Sequence, residues 1–226
     1  MTAVLAVVVP AVVVPAAGVA AAGSTADAPA AVGSQRLVAG FPVPVDKKTA
    51  KTYLGKLKVD ALNTGAGYDR KDFAWTTPKG SKCSTRNTIL KRDGKGVTTD
   101  ANCKITKGKW ISRYDSDTSW IDQPSKIDVD HVVPAKHAYM SGANKWLPSR
   151  RSAFANDTAR PQLIAVDQYT NRSKGDKSPD QWMPLNQRFH CMYVRAWIQV
   201  KYSYALTVTP AESTKLTSVL DNDCGR

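Results

Sequence analysis

Residues 128–134 read Asp128-Val129-Asp130-His131-Val132-Val133-Pro134, and this stretch decides how the rest of the chain is read. β-branched residues alternate with polar ones from Lys126 to Pro134, the pattern of a short half-buried strand. Alternation along that strand puts Asp128 and Asp130 on one face and His131 on the other. Pro134, which cannot donate to a ladder, marks the strand's end. Downstream, Asn156-Asp157 precedes a second apolar run, Gln162 to Val166. Asp167 can then cap a brief helix through Asn171 that stops near Gly175. The order is strand, loop, strand, helix.

The residue types in this order suit metal-assisted hydrolysis. A histidine whose ordinary pKa is about 6.5 is poised to take a proton from water near neutral pH. An Asp carboxylate and an Asn carbonyl are hard oxygen donors that favour Mg²⁺ and leave most of its shell to water and substrate. An Asp-His pair alone is weak, because a capped or surface histidine is the commoner explanation. A ligand next to a base is also awkward on an ideal strand, unless the strand bends or ends there.

With the downstream pattern included, the sequence resembles the HNH endonucleases, and in particular exported bacterial members related to the nuclease domain of GmrSD-type restriction enzymes. The matching stretches are DVDHVVP, SGANKW, RRSAFAND, PQLIAV and NRSKGDKSPDQWMP, and the resemblance runs from about Tyr68 to Cys224. It implies an α+β fold built on a ββα-metal (His-Me) finger packed with C-terminal helices. It implies that His131 is the general base, that Asp130 and Asn171 bind Mg²⁺ or another divalent cation such as Mn²⁺, and that Asn156 fixes the loop that orients the base. Lys174, one turn beyond Asn171, is placed on a phosphate or the transition state, with an ordinary helix-end lysine as the alternative. Arg150, Arg151 and Arg172 are candidates for contacts to nucleic acid. The products implied are a 5′-phosphate and a 3′-hydroxyl.

Composition sets the surroundings. The 32 Lys and Arg against 19 Asp and Glu give a net charge of +13, which draws polyanions to the surface. DNA, and RNA as a further candidate, is the expected partner, with Lys and Arg on phosphates supplying affinity without reading bases. The alternative is a catalytically silent, basic secreted protein that binds nucleic acid or another anionic polymer. Residues 1–35 hold no Lys or Arg and carry an apolar run from Val4 to Ala22, read as a signal peptide and flexible N-terminal segment. The competing reading is a membrane anchor, which needs about 18 to 20 apolar residues; Pro10 and Pro15 count against it. The mature chain is then expected to be secreted, monomeric and without a membrane span, with residues 36–226 forming one nuclease domain.

The four cysteines contain no CxxC pair, so zinc-finger spacing is absent. Proximity along the chain suggests disulfides Cys83 to Cys103 and Cys191 to Cys224, with two other connectivities formally open. Apolar spacing predicts a helix over Val43 to Leu57 capped by Asp46, and a long helix carrying Phe189, Tyr193, Ala196, Trp197, Val200 and Tyr204. Thr209-Pro210-Ala211-Glu212 is a capping box that opens a last helix. Residues 65–108 read as short strands and basic loops, and Lys109 to Tyr114 as a strand. His137 is expected as an exposed helix histidine, with an extra metal ligand as the alternative, and His190 as structural. Trp110, Trp120, Trp146 and Trp182 are read as packing groups, with one near the cleft able to stack on an unpaired base.

Overall fold

The computed structural model describes Met1 and residues 40–225, so the expected leader lies outside the described residues. The chain divides into Met1–Ser34 and Gln35–Arg226, and everything below belongs to the second unit.

Seven helices and four strands order the described residues: α1 (Lys47–Lys56), α2 (Thr85–Asp93), β1 (Lys95–Thr99), β2 (Ile105–Lys109), β3 (Ile127–His131), α3 (Ala135–Met140), α4 (Pro148–Ala155), β4 (Leu163–Asp167), α5 (Gln168–Lys174), α6 (His190–Tyr204) and α7 (Pro210–Asn222). The fold is α+β with two separate two-stranded antiparallel sheets, β1–β2 and β3–β4. Helix starts are written locally. The Asp46 side chain accepts from the Thr49 amide at α1, and Thr209 with Glu212 forms the reciprocal capping box at α7.

The β3–β4 ladder is the partition of the molecule. Its rungs run from Ile127 opposite Asp167 to His131 opposite Leu163, so side chains of paired residues share a face. Ile127, Val129, Leu163 and Ala165 pack against Ile89 and Leu90 of α2 and against Trp110. Ile164 and Val166 join the larger core, which is filled by Tyr193, Trp197 and Val200 of α6 and Leu216 and Leu220 of α7. Because both faces are covered, the strand is apolar where it can be, and Asp128 and Asp130 project on the larger-core side.

Two expectations are corrected here. The stretch read as strands and loops contains α2, capped by Ser84, whose side chain accepts from the Asn87 amide. The strand expected over 109–114 is displaced: β2 ends at Lys109, and Trp110 makes only an isolated bridge to Ile121. The two disulfides join Cys83 to Cys103 and Cys191 to Cys224, as chain proximity suggested. The first ties the start of α2 to the β1–β2 turn, and the second ties the first turn of α6 to the end of α7. Loops of this length contribute about 3 kcal/mol each in the chain-entropy picture.

Candidate active site

His131 is the last residue of β3, and its ring is 3 % exposed. It lies parallel to Trp75 at 4.7 Å between centroids and parallel to Phe154 of α4 at 6.3 Å on a longer contact. Nε2 sits 2.9 Å from the carbonyl oxygen of Ala155. A carbonyl only accepts, so Nε2 carries the hydrogen and Nδ1 keeps the lone pair. Burial pushes the imidazole pKa down to about 3, against the opposing pull of the Ala155 carbonyl, and Arg70 and Lys174 push the same way as burial. The ring is therefore neutral near pH 7, in the tautomer that leaves a proton acceptor at Nδ1.

The Asn156 side chain makes its hydrogen bonds away from this ring. Its Oδ1 accepts from the Thr76 amide at 2.9 Å, and its Nδ2 donates to the carbonyls of Ala74 at 3.0 Å and Ser152 at 2.9 Å. Those bonds clamp the segment on either side of Trp75, the indole that roofs His131.

On the other face of β3 the acids meet α5. Asp130 is almost fully buried; its Oδ2 accepts from the Tyr114 hydroxyl at 2.7 Å, and the Lys174 ammonium lies 3.0 Å from Oδ1 and 2.8 Å from Oδ2. Lys174 also donates to the His131 carbonyl at 2.8 Å and is 0 % exposed. Burial raises the Asp130 pKa against the lowering pull of Lys174 and Tyr114, and burial lowers that of Lys174 against the pull of Asp130. One turn earlier on α5, the Asn171 amide donates to Asp128 Oδ2 at 3.2 Å. Asp115 approaches the same end of α5, accepting from the Thr170 hydroxyl.

The structure thus brings Asn171 to Asp128 and Lys174 to Asp130, and joins neither pair to the His131 ring. Lys174, expected on a phosphate, turns its ammonium inward. Arg151 is also committed inward: it donates to the carbonyls of Ala143 and Asn144, pairs with Asp72 at 2.6 Å and lies over the Tyr139 ring. Arg150 bonds the Tyr204 carbonyl and stacks over Trp146. Of the three candidate arginines, Arg172 is the exposed one, bonded to Gln168. His137 is 1 % exposed and accepts from Lys201 at 2.9 Å, which overturns the exposed reading. His190 bonds the Pro184 carbonyl and Asp223, a structural part as expected.

The family described as GmrSD restriction endonucleases, C-terminal domain, matches residues 84–219, which span β3, β4 and α5 with Asp128, Asp130, His131, Asn171 and Lys174, while Trp75 lies before the matched segment. The chain belongs to this family. A relative from Arthroderma benhamiae, described as an uncharacterized secreted protein, is 44 % identical over 202 residues, covering 86 % of this chain and 97 % of its own. That relative is fungal, where the motifs alone pointed to bacterial proteins. No solved structure matches the chain. Membership of the GmrSD C-terminal family relates the chain to nucleases, and the two disulfides with the secreted relative place it outside the cell. Among the described residues no helix is long and apolar enough to cross a membrane.

Nucleases of this kind typically use a divalent cation, which needs oxygen or nitrogen donors free to hold it. Among the described residues no three His, Cys, Asp or Glu side chains cluster as metal ligands. Asp130 does not fit as it stands, because an ammonium already spans both of its oxygens. Asp128 and Asn171 do fit: they touch, both are half-buried, and each keeps an oxygen with no partner among the described residues. Two hard oxygen donors with water completing the shell are what Mg²⁺ accepts. Sequence reasoning missed Trp75, Tyr114 and the Ala155 carbonyl. Only Asp128 carried a signal, its place on the Asp130 face of the strand.

Proposed function

We propose that the protein is a secreted endonuclease that hydrolyses phosphodiester bonds of DNA, and of RNA, with little sequence preference, on a ββα-metal scaffold formed by β3, β4 and α5. The observation that carries this reading is the Asn171–Asp128 contact, which lays the α5 amide on the strand that ends in His131. When bound, a divalent cation supplies charge neutralisation on the phosphate and stabilises the departing oxygen.

The residues that would hold the cation are Asn171 and Asp128. Asp130, the ligand expected from the motif, enters that shell only if Lys174 lets go of it. His131, fixed through Nε2 by the Ala155 carbonyl, offers Nδ1 to the proton of the attacking water. Asn156 and Trp75 hold the ring in place. Arg172 and the surrounding lysines attract the phosphate backbone.

The test is plasmid nicking by the mature protein with Mg²⁺, with EDTA, and with His131→Ala. Loss of the base is expected to slow cleavage by about 10² to 10⁴, and EDTA is expected to stop it. An alanine variant that cuts as fast as the parent removes His131 from the mechanism. Asp128→Asn and Asp130→Asn, compared for the Mg²⁺ concentration at half-maximal rate, tell which carboxylate serves the cation.

A further inference from the structure

We infer that the groove between the β1–β2 hairpin and Trp120 is a binding platform for an unpaired strand of nucleic acid, a site separate from the residues assigned to the chemistry.

Trp120 is 49 % exposed in a chain whose Trp110 and Trp197 are buried. Its ring forms one wall of a groove of about 600 Å³ completed by Lys95, Lys107, Lys109 and Asp122. That volume falls in the range of pockets that hold small ligands. All three lysines are exposed, and Lys95 lies 5.9 Å from the ring centroid. Three ammoniums against one carboxylate attract an anion, and the open indole needs a flat partner.

The groove owes its shape to the buried Trp110. This residue donates from Nε1 to the Leu90 carbonyl and bridges Ile121, which fixes the segment carrying Trp120. Gly94 and Gly108 let the hairpin close on that indole, since a Cβ at either would stand 2.5 Å from Trp110 atoms. The site is thus backed by a packed core. The chain then runs from Asp122 through the turn at Pro124–Lys126 straight into β3.

The occupant follows from the pairing of charges with a π-face. Lysines are point charges that follow phosphates without reading bases. An aromatic wall adds affinity only for a base free to leave its own stack, which a duplex interior does not offer. Polyphosphate would use the lysines and have nothing to lay on Trp120. A nuclease with such a platform beside β3 would favour single strands, frayed ends and loops. That consequence rests on the nuclease reading; the binding itself does not.

The experiment measures anisotropy of a labelled twelve-nucleotide oligothymidylate on the full chain, in EDTA so that no turnover occurs. A twelve-pair duplex and inorganic polyphosphate serve as the comparison ligands. Trp120→Ala is expected to weaken oligothymidylate binding about 10- to 100-fold, the range of one base–aromatic stack, and to leave polyphosphate binding unchanged. Trp120→Phe is expected to keep most of the affinity, which separates stacking from misfolding. Lys107→Ala with Lys109→Ala is expected to weaken both ligands and to flatten the salt dependence, by about 0.7 per contact for a single strand. Equal binding by parent and Trp120→Ala, an equal loss for polyphosphate, or tighter binding of the duplex each overturns the proposal. If His131→Ala cleaves normally while these binding results hold, the nuclease mechanism fails and the platform stands.

Discussion

Lys174 and Asp130 form the most deeply buried ion pair next to the candidate chemistry, with side-chain exposures of 0 % and 7 %. Such a pair contributes little to stability as a unit, but breaking one half leaves a charge without a counter-charge in a dry interior. Lys174→Met is therefore expected to destabilise the protein by about 3 to 5 kcal/mol, read as a fall in the urea midpoint. The double variant with Asp130→Asn is expected to recover a good part of that loss, because the remaining amide can still accept from Tyr114. Additive losses in the two single variants would show that the residues do not act as a pair. The motif made Asp130, His131 and Asn171 legible as residues worth watching. It did not reveal that Lys174 turns inward, because a lysine at a helix end is ordinarily solvated and nothing local marks it as buried. Tyr114 and Trp75 were equally invisible, since a hydroxyl or an indole acquires such a part only through contacts far away in the chain.

At the level of elements, the readings that held were those with a local physical cause. The Asp46 cap, the Asp167 cap and the Thr209 box each satisfy amides within three residues, so the sequence displays both partners. Helix α2 escaped because Thr85-Arg86-Asn87-Thr88 contains poor helix formers and only Ile89 and Leu90 are apolar. Its stability comes from Trp110 and the β3–β4 face, which a local window does not contain. The end of α6 carries a testable strain. Ala205 closes the helix with φ 52° and ψ 41°, a left-handed conformation in which its Cβ crowds the backbone. Ala205→Gly is expected to stabilise the protein by about 0.5 to 1 kcal/mol, the relief of that crowding exceeding glycine's added entropy in the unfolded chain. A urea midpoint that falls would mean the alanine methyl makes packing contacts worth more than the strain.

Across the whole molecule, the disulfide pairing was readable because it follows chain proximity. The buried charges of the larger core were not. Lys201 of α6 sends its ammonium to three acceptors: Glu212 of α7, the Thr207 carbonyl, and Nε2 of His137 on α3. Three protons meet three acceptors, so His137 is neutral there, and Trp197 donates to Glu212 Oε1, which Lys201 also approaches at 2.7 Å. Burial alone would raise the Glu212 pKa, but the Lys201 ammonium overcomes it, joined by His137 once acid protonates that ring, and the carboxyl is held down to about 2, from an ordinary 4.5. Burial, with Lys201 nearby, lowers His137 below its usual 6.5, against the opposing pull of Glu212. In both cases the unfolded chain binds the proton more readily than the folded one, so stability rises with pH across each window. The Glu212 contribution is complete above pH 4.5 and disappears as pH falls toward 2, a difference of about 3 kcal/mol at about 1.4 kcal/mol per pKa unit. The His137 contribution begins to fall once pH drops below 6.5. Glu212→Gln is expected to lower stability at pH 7 by leaving Lys201 unpaired, and to flatten the acid limb between pH 4.5 and 2, in urea midpoints measured across pH. If the variant keeps the parent's acid slope, the carboxylate that joins these three helices does not govern the molecule's acid stability.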